Sequence, residues 1–342
     1  MDVQGTRAGR HHDRRQTPAG DHHRQRVLCL TGAGQSGSAL LETLLNELPD
    51  VVAVGASAGV WRRGVLDGGS CDCGYGFDSC VRWKAIGDRA FGGWDQVDAV
   101  RAAELATSAG RLRSLPAILR SAAAPGPQPR LLPDNDEYLT LIRPVLLAAG
   151  HRSPATGGAH QPEGDRDGAM IEGTVVVDSS PQPTMAAVLS LDPALDVRVV
   201  HLVRDPRGVA NARPQDPVGS VVGGWLAADV AVGRLARRLP VLALRYEDLL
   251  AAPAHQLHRV ATFAGVPSDR IDLRFVQGRT VRLQRPLHSL AGDPSSFGGT
   301  ELTLATADPW PAELAGSRRR ATTALTGPLL RRHGYEARPC VG

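Results

Sequence analysis

The residues most suited to chemistry form a glycine-rich loop near the start of the chain. Residues 32–39 (GAGQSGSA) follow an apolar run, residues 26–31 (RVLCLT), and precede leucines at helical spacing. A strand, a glycine loop and a helix in this order direct backbone N–H groups and the positive helix end at one point. The loop therefore predicts a cradle for a phosphate or sulfate group. The competing interpretation is a tight turn that binds no ligand.

Two nucleotide-binding motifs fit this loop only in part. Gly32, Gly34 and Gly37 match the dinucleotide fingerprint, which also needs an acid near the end of the second strand, and residues 54–57 (VGAS) contain none. The same glycines match the start of a Walker A loop, but residues 38–39 are Ser-Ala where that loop needs Lys and Ser or Thr. A magnesium-dependent P-loop kinase thus has little support. What remains is an anion loop that needs neither magnesium nor the lysine.

The loop resembles that of bacterial, actinobacterial-type sulfotransferases that use 3′-phosphoadenosine 5′-phosphosulfate (PAPS). Their loop is typically Gly-x-Gly-Arg-Ser-Gly-Ser-Thr-Leu-Leu, which residues 32–41 match at all but Gln35 and Ala39. Residues 201–210 (HLVRDPRGVA) resemble the family's 3′-phosphate element. The resemblance covers residues 26–337. Further similar segments occur in the family's order at residues 61–94, 177–180, 245–249, 288–297, 308–310 and 330–335.

The resemblance implies a binding role for particular residues. Arg204, with Arg207, is expected to hold the 3′-phosphate, and Tyr246 is expected near the adenine. An arginine at a strand-to-helix junction can clamp a phosphate through two hydrogen bonds, although an ion pair between Arg204 and Asp205 or another acid is the alternative. The 5′-phosphosulfate is expected on the backbone of the loop, at Gly34, Gln35, Ser36, Gly37, Ser38 and Ala39.

Several positions that carry charge or a hydroxyl in the family are neutral here. The loop cation that would stabilise the departing nucleotide is replaced by Gln35, and its loss predicts a reaction slower by about 100-fold or more. The other replaced positions are Ala39, Ala56, Pro181, Ala212 and Ser296.

Four side chains are candidates for the general base: His288, Asp178, Glu42 and His201. We assign catalytic roles to Gln35, which occupies the position of the loop cation, and to His288. Among the candidate bases, histidine has the most suitable unperturbed pKa. A structural role for a lone loop histidine is the alternative. Asp178, at a strand end, is expected to hydrogen-bond nearby backbone instead.

Hydrophobic runs and helical periodicity predict an α/β, P-loop-like three-layer fold. A central parallel sheet is flanked by helices, with a helical insertion at residues 59–173 after the second strand. Strands are predicted at residues 26–31, 51–54, 174–177, 197–203 and 241–245. Helices are predicted at residues 39–48, 102–119, 137–149, 183–191, 218–239, 253–264 and 313–333, and exposed loops at residues 122–129 and 151–168.

We expect one sulfotransferase-like domain, residues 26–337, between a disordered basic tail, residues 1–25, and a short tail, residues 338–342. The net charge is +4 over 342 residues, and no Lys/Arg stripe alternates with aromatic residues, so no nucleic-acid partner is expected. The first residues lack the apolar core of a signal peptide, and no run approaches the about 20 apolar residues of a membrane span. We therefore expect a cytoplasmic protein without a membrane partner.

Three cysteines, Cys71, Cys73 and Cys80, lie within ten residues. Three thiolates can ligate zinc, but the paired C-x-x-C spacing of structural zinc sites is absent. A disulfide is disfavoured in the cytosol. We therefore expect structural or inert thiols and no metal.

The leading hypothesis is transfer of a sulfuryl group from the co-substrate PAPS to a hydroxyl or amine of a small molecule, in secondary metabolism. The alternative, suggested by the neutral positions, is a catalytically impaired relative that binds nucleotide or a partner without transfer.

Overall fold

The computed structural model describes residues 24–121, 132–151, 174–290, 300–305 and 308–336. The loop predicted at residues 122–129, nearly all of the loop predicted at 151–168, Ser296, residues 1–23 of the N-terminal tail and the C-terminal tail lie outside the described residues. The first strand begins at Gln25, one residue before its predicted start.

The centre of the fold is a parallel sheet whose described strands lie in the order β2-β3-β1-β4-β5. Each strand is an apolar run, as parallel strands covered on both faces require. All the strands predicted for this sheet are present, with ends shifted by up to two residues. They are β1 Gln25–Gly32, β2 Val51–Ala53, β3 Val175–Asp178, β4 Leu195–Val203 and β5 Val241–Arg245.

Helices cover both faces of this sheet, so the predicted three-layer α/β fold is confirmed. Alternate residues of β1 point to opposite sides: Leu28 and Leu30 enter one core, and Val27 and Cys29 enter the other. The helices are α1 Ser38–Asn46, α2 Val81–Phe91, α3 Ala99–Ala109, α4 Leu115–Ser121, α5 Pro133–Gly150, α6 Pro183–Leu189, α7 Pro206–Ala212, α8 Val218–Leu235, α9 Tyr246–Ala251, α10 Pro253–Ala264, α11 Trp310–Glu313 and α12 Gly316–Arg332.

The insertion after β2 is helical, as predicted, but its helices differ from the expected ones. The single helix predicted at residues 102–119 is two helices, because α3 ends at Gly110 and α4 begins beside Pro116, which favours a helix start. Helix α2 and a π-helical segment, Val60–Leu66, were not predicted. Their sequences mix charged residues with glycine, and α2 instead depends on burying Trp83 against other aromatic rings.

The C-terminal part contributes a small antiparallel sheet that periodicity did not predict, because its strands are two or three residues long. Its strands pair in the order β6-β7-β8: β6 Val276–Gln277, β7 Thr280–Arg282 and β8 Glu301–Thr303. Helix α12 continues past Pro328 to Arg332.

Among the described helices, α8 is long and apolar enough to cross a membrane by length and composition, with a mean hydropathy of 1.3 over 18 residues. We expected no run to approach the length and apolar composition of a membrane span, and α8 does so. Core helices also pass such a test, and Trp225 of α8 is 3% exposed in the interior. The result is weak evidence for a membrane span.

The chain reverses its direction of winding at β1, and this creates a crevice at one edge of the sheet. The connection from β1 passes through α1 on one face, whereas those from β3 and β4 pass through α6 and α8 on the other. In open parallel sheets ligands bind outside the carboxyl ends of the strands at such a switch point. The glycine loop lies at this edge.

Candidate anion-binding site

The glycine loop ends in an uncapped helix. Gly37 is the N-cap of α1 with φ 96°, and no side chain in the described parts of the chain caps it. The Leu41 amide closes the first turn on Gly37 O at 3.0 Å. The amides before Leu41 have no intrahelical acceptor, so those of Ser38 and Ala39 are available to an anion at the positive helix end.

Two glycines allow the loop to approach its neighbours closely. A Cβ atom on Gly32 would collide with the carbonyl oxygen of Leu202 in β4. A Cβ atom on Gly37 would lie 2.5 Å from Cδ2 of Tyr246, so the tyrosine ring rests directly on the loop. Gln35 has φ 66°, a left-handed conformation that is strained for a residue with a side chain. The loop is thus held in one shape by β4 and Tyr246.

Within the loop, Ser36 is buried and its amide is bonded to the loop itself. Its amide donates to Ala33 O at 3.1 Å, and the side chain is 2% exposed beneath Gly32. Its prediction as a ligand-binding residue has no support from this position. Gly34 and Gln35 lie exposed at the apex of the loop. Gly37, Ser38 and Ala39 supply the amides at the helix start.

Arg204, at the end of β4, contacts the loop directly, and its predicted contact with the 3′-phosphate stays a prediction. Its Nη1 donates to Gln35 O at 3.0 Å, and its Cζ lies 4.8 Å from the centre of the Tyr246 ring. The loop, Arg204 and Tyr246 therefore come together. Arg204 also donates to both carboxylate oxygens of Asp308. This is the ion pair expected from the sequence as the alternative to phosphate binding, with Asp308 as the acid and not Asp205. The guanidinium thus bridges the loop and the C-terminal segment.

The position of Arg207 does not agree with its predicted contact to phosphate. Its side chain is 2% exposed and donates to both carboxylate oxygens of Asp205 and to Glu336 O. Its Cζ lies 4.2 Å from the centre of the Trp310 ring. Sequence alone could not distinguish it from Arg204, because both arginines belong to one motif. Arg207 joins α7 to the C-terminal helices.

Arg213 is a cation at the loop that sequence reasoning missed. Its Nη1 lies 3.4 Å from the Cβ position of Gly34, and its side chain is 40% exposed in an ion pair with Asp216. A cavity of about 230 Å³ opens beside it, lined also by Pro181 and Trp225. The signal available in the sequence was its position three residues beyond the motif at residues 201–210.

The described positions at which the resemblance implies a lost charge or hydroxyl gather at this edge of the sheet. Gln35 and Ala39 follow β1, Ala56 follows β2 and Pro181 follows β3. Ala212 is the last residue of α7, next to Arg213. The edge therefore relies on backbone amides and arginines for its positive potential.

Beside this edge lie two buried acids. Asp178 accepts from the Ser57 amide at 3.1 Å, the Ser57 hydroxyl at 2.8 Å and the Ser180 amide at 2.8 Å, as its strand-end position predicts. Glu42 accepts from the Gly55 amide and is 1% exposed. Burial raises the pKa of Glu42 to about 7, against hydrogen bonds that lower it. Its pKa suits a general base, but the side chain has no access to an acceptor.

The two candidate histidines lie elsewhere. His288 faces sulfur atoms: its Nδ1 lies 3.3 Å from Cys80 Sγ and 3.8 Å from Cys71 Sγ. This position does not support its predicted catalytic role and favours the structural alternative. His201 is 7% exposed within β4, and burial lowers its pKa to about 4, so it stays neutral in the core.

Comparisons with known proteins point to sulfotransferases. No family model matches the chain. A stretch of 182 residues is 26% identical to carbohydrate sulfotransferase 5 of Mus musculus and covers 43% of this chain and 43% of that protein. The chain thus spans less than half the length of this curated relative. The match supports a relationship with sulfotransferases over that stretch.

Similar solved structures include two sulfotransferase domains. One is from the olefin synthase of Synechococcus PCC 7002, with 19% identity, a TM-score of 0.43 and coverage of 94% of this chain and 99% of that chain. The other is from the curacin biosynthetic pathway, with 17% identity, a TM-score of 0.44 and coverage of 92% of this chain and 98% of that chain.

Proposed function

We propose that this protein transfers a sulfuryl group from PAPS to a hydroxyl or amine of a small molecule. The observation that carries the proposal is the uncapped first turn of α1, with exposed Arg213 beside the loop that precedes it. This arrangement binds an anion through backbone amides and a guanidinium. It lacks the lysine and the magnesium ligand that ATP hydrolysis would need at residues 38–39. The sulfotransferase match adds independent support.

The reaction is an in-line displacement at sulfur. The acceptor oxygen or nitrogen forms a new bond to sulfur as the bond from sulfur to the bridging oxygen breaks. The bridging oxygen keeps the electron pair and leaves as 3′-phosphoadenosine 5′-phosphate, and the acceptor's proton passes to solvent water. Negative charge develops on the bridging oxygen, so hydrogen-bond donors aimed there lower the barrier. We assign this role to the amides of Ser38 and Ala39 and to the side chain of Gln35.

The geometry changes the roles expected for the arginines. Arg213 replaces Arg207 as the residue that contacts the nucleotide phosphates, because it is exposed at Gly34. Arg204 holds the loop through Gln35 O and contributes its charge. Tyr246 supports Gly37 and offers its ring edge to the adenine.

The cavity beside Gly34 fits a small acceptor. Apolar side chains, including Leu112, Val209 and Trp225, contribute much of its lining, and Arg213 and Gln182 add polar groups. Its volume of about 230 Å³ is below that of pockets for drug-sized ligands. The volume therefore agrees with a small-molecule acceptor. A role in secondary metabolism, a cytoplasmic location and the absence of a nucleic-acid partner are proposed from the sequence alone.

Isothermal calorimetry with the product 3′-phosphoadenosine 5′-phosphate tests the donor site. Wild type is expected to bind, and Arg213→Ala to bind at least about 10-fold more weakly, because a charge-assisted hydrogen bond is lost. The matched control is Arg274→Ala, since Arg274 is 91% exposed and also pairs with a nearby aspartate. Absence of binding at millimolar nucleotide in folded wild type would overturn the proposal. Binding without transfer to any acceptor would instead favour the catalytically impaired relative.

A further inference from the structure

A cluster of four potential ligands lies between the insertion and the C-terminal part of the chain. The sulfur atoms of Cys71, Cys73 and Cys80 and a ring nitrogen of His288 all lie within 4.8 Å of one another. Cys71 and Cys80 are fully buried, whereas Cys73 and His288 are half-buried. The mechanism proposed above uses none of these groups. Buried, converging thiols and imidazole are the donor set of a soft-metal site.

Four of the six spacings among these atoms fit a tetrahedral zinc site, and the other two are at most 4.8 Å. Zinc bonds of about 2.3 Å to sulfur and about 2.0–2.1 Å to nitrogen, at tetrahedral angles, place two sulfurs about 3.8 Å apart and sulfur about 3.5 Å from nitrogen. Cys80 Sγ lies 3.7 Å from Cys71 Sγ and 3.7 Å from Cys73 Sγ. Nδ1 of His288 lies 3.3 Å from Cys80 Sγ and 3.8 Å from Cys71 Sγ. Each of these distances is within a few tenths of an ångström of the ideal values.

Local structure explains how the ligands converge. The Cys71 amide donates to Tyr75 O at 2.8 Å and the Gly74 amide to Cys71 O at 2.9 Å, which folds residues 71–75 into a tight turn. Gly74 has φ 90°, a conformation that glycine adopts at no steric cost. The turn presents Cys71 and Cys73 on one side.

The other two ligands come from flanking elements. Cys80 is the N-cap of α2. His288 is brought in by the neighbouring residue, because Ser289 O accepts from the Asp72 amide at 3.0 Å. The backbone is thus already arranged around the centre of the cluster.

We propose that Cys71, Cys73, Cys80 and His288 bind one zinc ion. Four protein ligands close the coordination sphere, which is typical of structural rather than catalytic zinc. The absence of a C-x-x-C pair does not argue against a zinc site. Its four ligands come instead from a C-x-C turn, a cysteine at a helix start and a histidine 208 residues beyond Cys80. This proposal keeps the structural role that was one of the two predicted for the thiols, and it departs from the prediction of no metal.

A further observation agrees with a metal site. Sulfur separations of 3.7 Å are far longer than the about 2.05 Å of a disulfide, so these cysteines are free thiols.

The ion would fasten the C-terminal segment to the edge of the sheet that carries the candidate site. Ser289 packs so closely on Gly55, at the end of β2, that a Cβ atom on Gly55 would collide with its hydroxyl. Leu290 enters the same core as Trp61 and Trp83 of the insertion. Zinc at His288 would therefore hold two distant parts of the chain together, and its binding energy would add to the stability of the folded state.

Metal content and cobalt spectroscopy of the full chain test the site. Protein made in zinc-supplemented medium and purified without a histidine tag is expected to contain one zinc per chain by mass spectrometry. Apo protein in reducing buffer should bind one Co²⁺ and show thiolate-to-cobalt charge-transfer absorption with tetrahedral ligand-field bands. This absorption distinguishes the cluster from the N-terminal histidines, such as His22 and His23, which would give no thiolate signal. Addition of a strong chelator should lower the melting temperature.

Variants assign the ligands. His288→Ala is expected to lower Co²⁺ affinity at least about 10-fold, and His288→Cys to retain tight binding with a stronger charge-transfer band. Cys29→Ala, which removes a buried thiol of β1 outside the cluster, should keep the zinc. Wild type that holds no zinc and, as apo protein, gives no thiolate–cobalt signal would overturn the proposal without reference to any variant. A cobalt spectrum and affinity unchanged in both His288 variants would overturn the assignment of His288.

Discussion

The guanidinium of Arg204 is bound to Asp308 through two hydrogen bonds, from Nε to Oδ2 at 2.6 Å and from Nη2 to Oδ1 at 3.0 Å. The side chains are only 12% and 3% exposed, so the pair is largely removed from water. A third donor, Nη1, holds Gln35 O. The shape of the glycine loop therefore depends on an acid that is 104 residues beyond Arg204.

Asp308→Asn should destabilise the protein by about 3 kcal/mol, because it leaves a largely buried arginine without its counter-charge. Urea unfolding followed by circular dichroism measures this loss. Asp272→Asn is the control, because it removes the acid of an exposed pair with Arg274 and should change stability by less than about 1 kcal/mol. Equal effects of the two substitutions would show that the Arg204–Asp308 pair is not a structural bridge.

Gln35→Arg should increase the rate of sulfuryl transfer by about 100-fold, since it adds a charge beside the developing oxyanion. Gln35 is exposed at the loop apex, so the substitution should leave the melting temperature nearly unchanged. Single-turnover assays with PAPS and a panel of phenol and amine acceptors measure the rate. Gln35→Asn keeps a neutral amide and should give no gain. If Gln35→Arg bound the donor but its rate were unchanged, the missing charge at residue 35 would not be what limits sulfuryl transfer.

Gly37→Ala should weaken nucleotide binding and lower stability, because φ 96° is unfavourable for alanine and the new Cβ would strike the ring of Tyr246. Calorimetry and thermal melting report the two effects. Tyr246→Ala in the same chain should recover part of the stability, since the collision is removed. Gly223→Ala is the matched control. A Cβ atom on Gly223, in α8, would meet nothing within 4 Å, so its effect on stability should be neutral or favourable. Full tolerance of Gly37→Ala would contradict the proposed contact.

Glu42 should make the protein less stable as pH rises. Its pKa is raised from 4.5 to about 7 in the folded chain, so between these values the folded state holds more protons than the unfolded state. Its contribution is thus lost progressively from about pH 4.5 to pH 7, by roughly 3 kcal/mol in total.

Glu42→Gln removes this titration while keeping an oxygen that accepts from the Gly55 amide. Urea unfolding at pH 5 and pH 8 should show the variant gaining stability relative to wild type at the higher pH. The same difference between the two proteins at both pH values would show that Glu42 does not titrate in this range.

Local sequence patterns were sufficient for the central sheet and the glycine loop. The strands of the sheet are apolar runs, of which β1 to β4 are largely buried, and the glycines between β1 and α1 mark a loop that approaches β4 closely. Helix α2 escaped prediction because Arg82, Lys84, Asp88 and Arg89 mask its period, and its burial of Trp83 depends on aromatic rings from other segments.

The amino-acid sequence by itself determined the order of the elements and the glycine loop between β1 and α1, and the resemblance it carries singled out Arg204 and Tyr246. Only the tertiary structure decided that Arg204 pairs with Asp308, that Arg207 is internal, that Arg213 reaches the loop and that His288 joins three cysteines. Hydrophobic periodicity indicates which face of a helix or strand is buried, and it can be read from residues that are close together in the sequence. Pairing between polar side chains depends on which distant segments the fold brings together, and Cys80 and His288 are 208 residues apart.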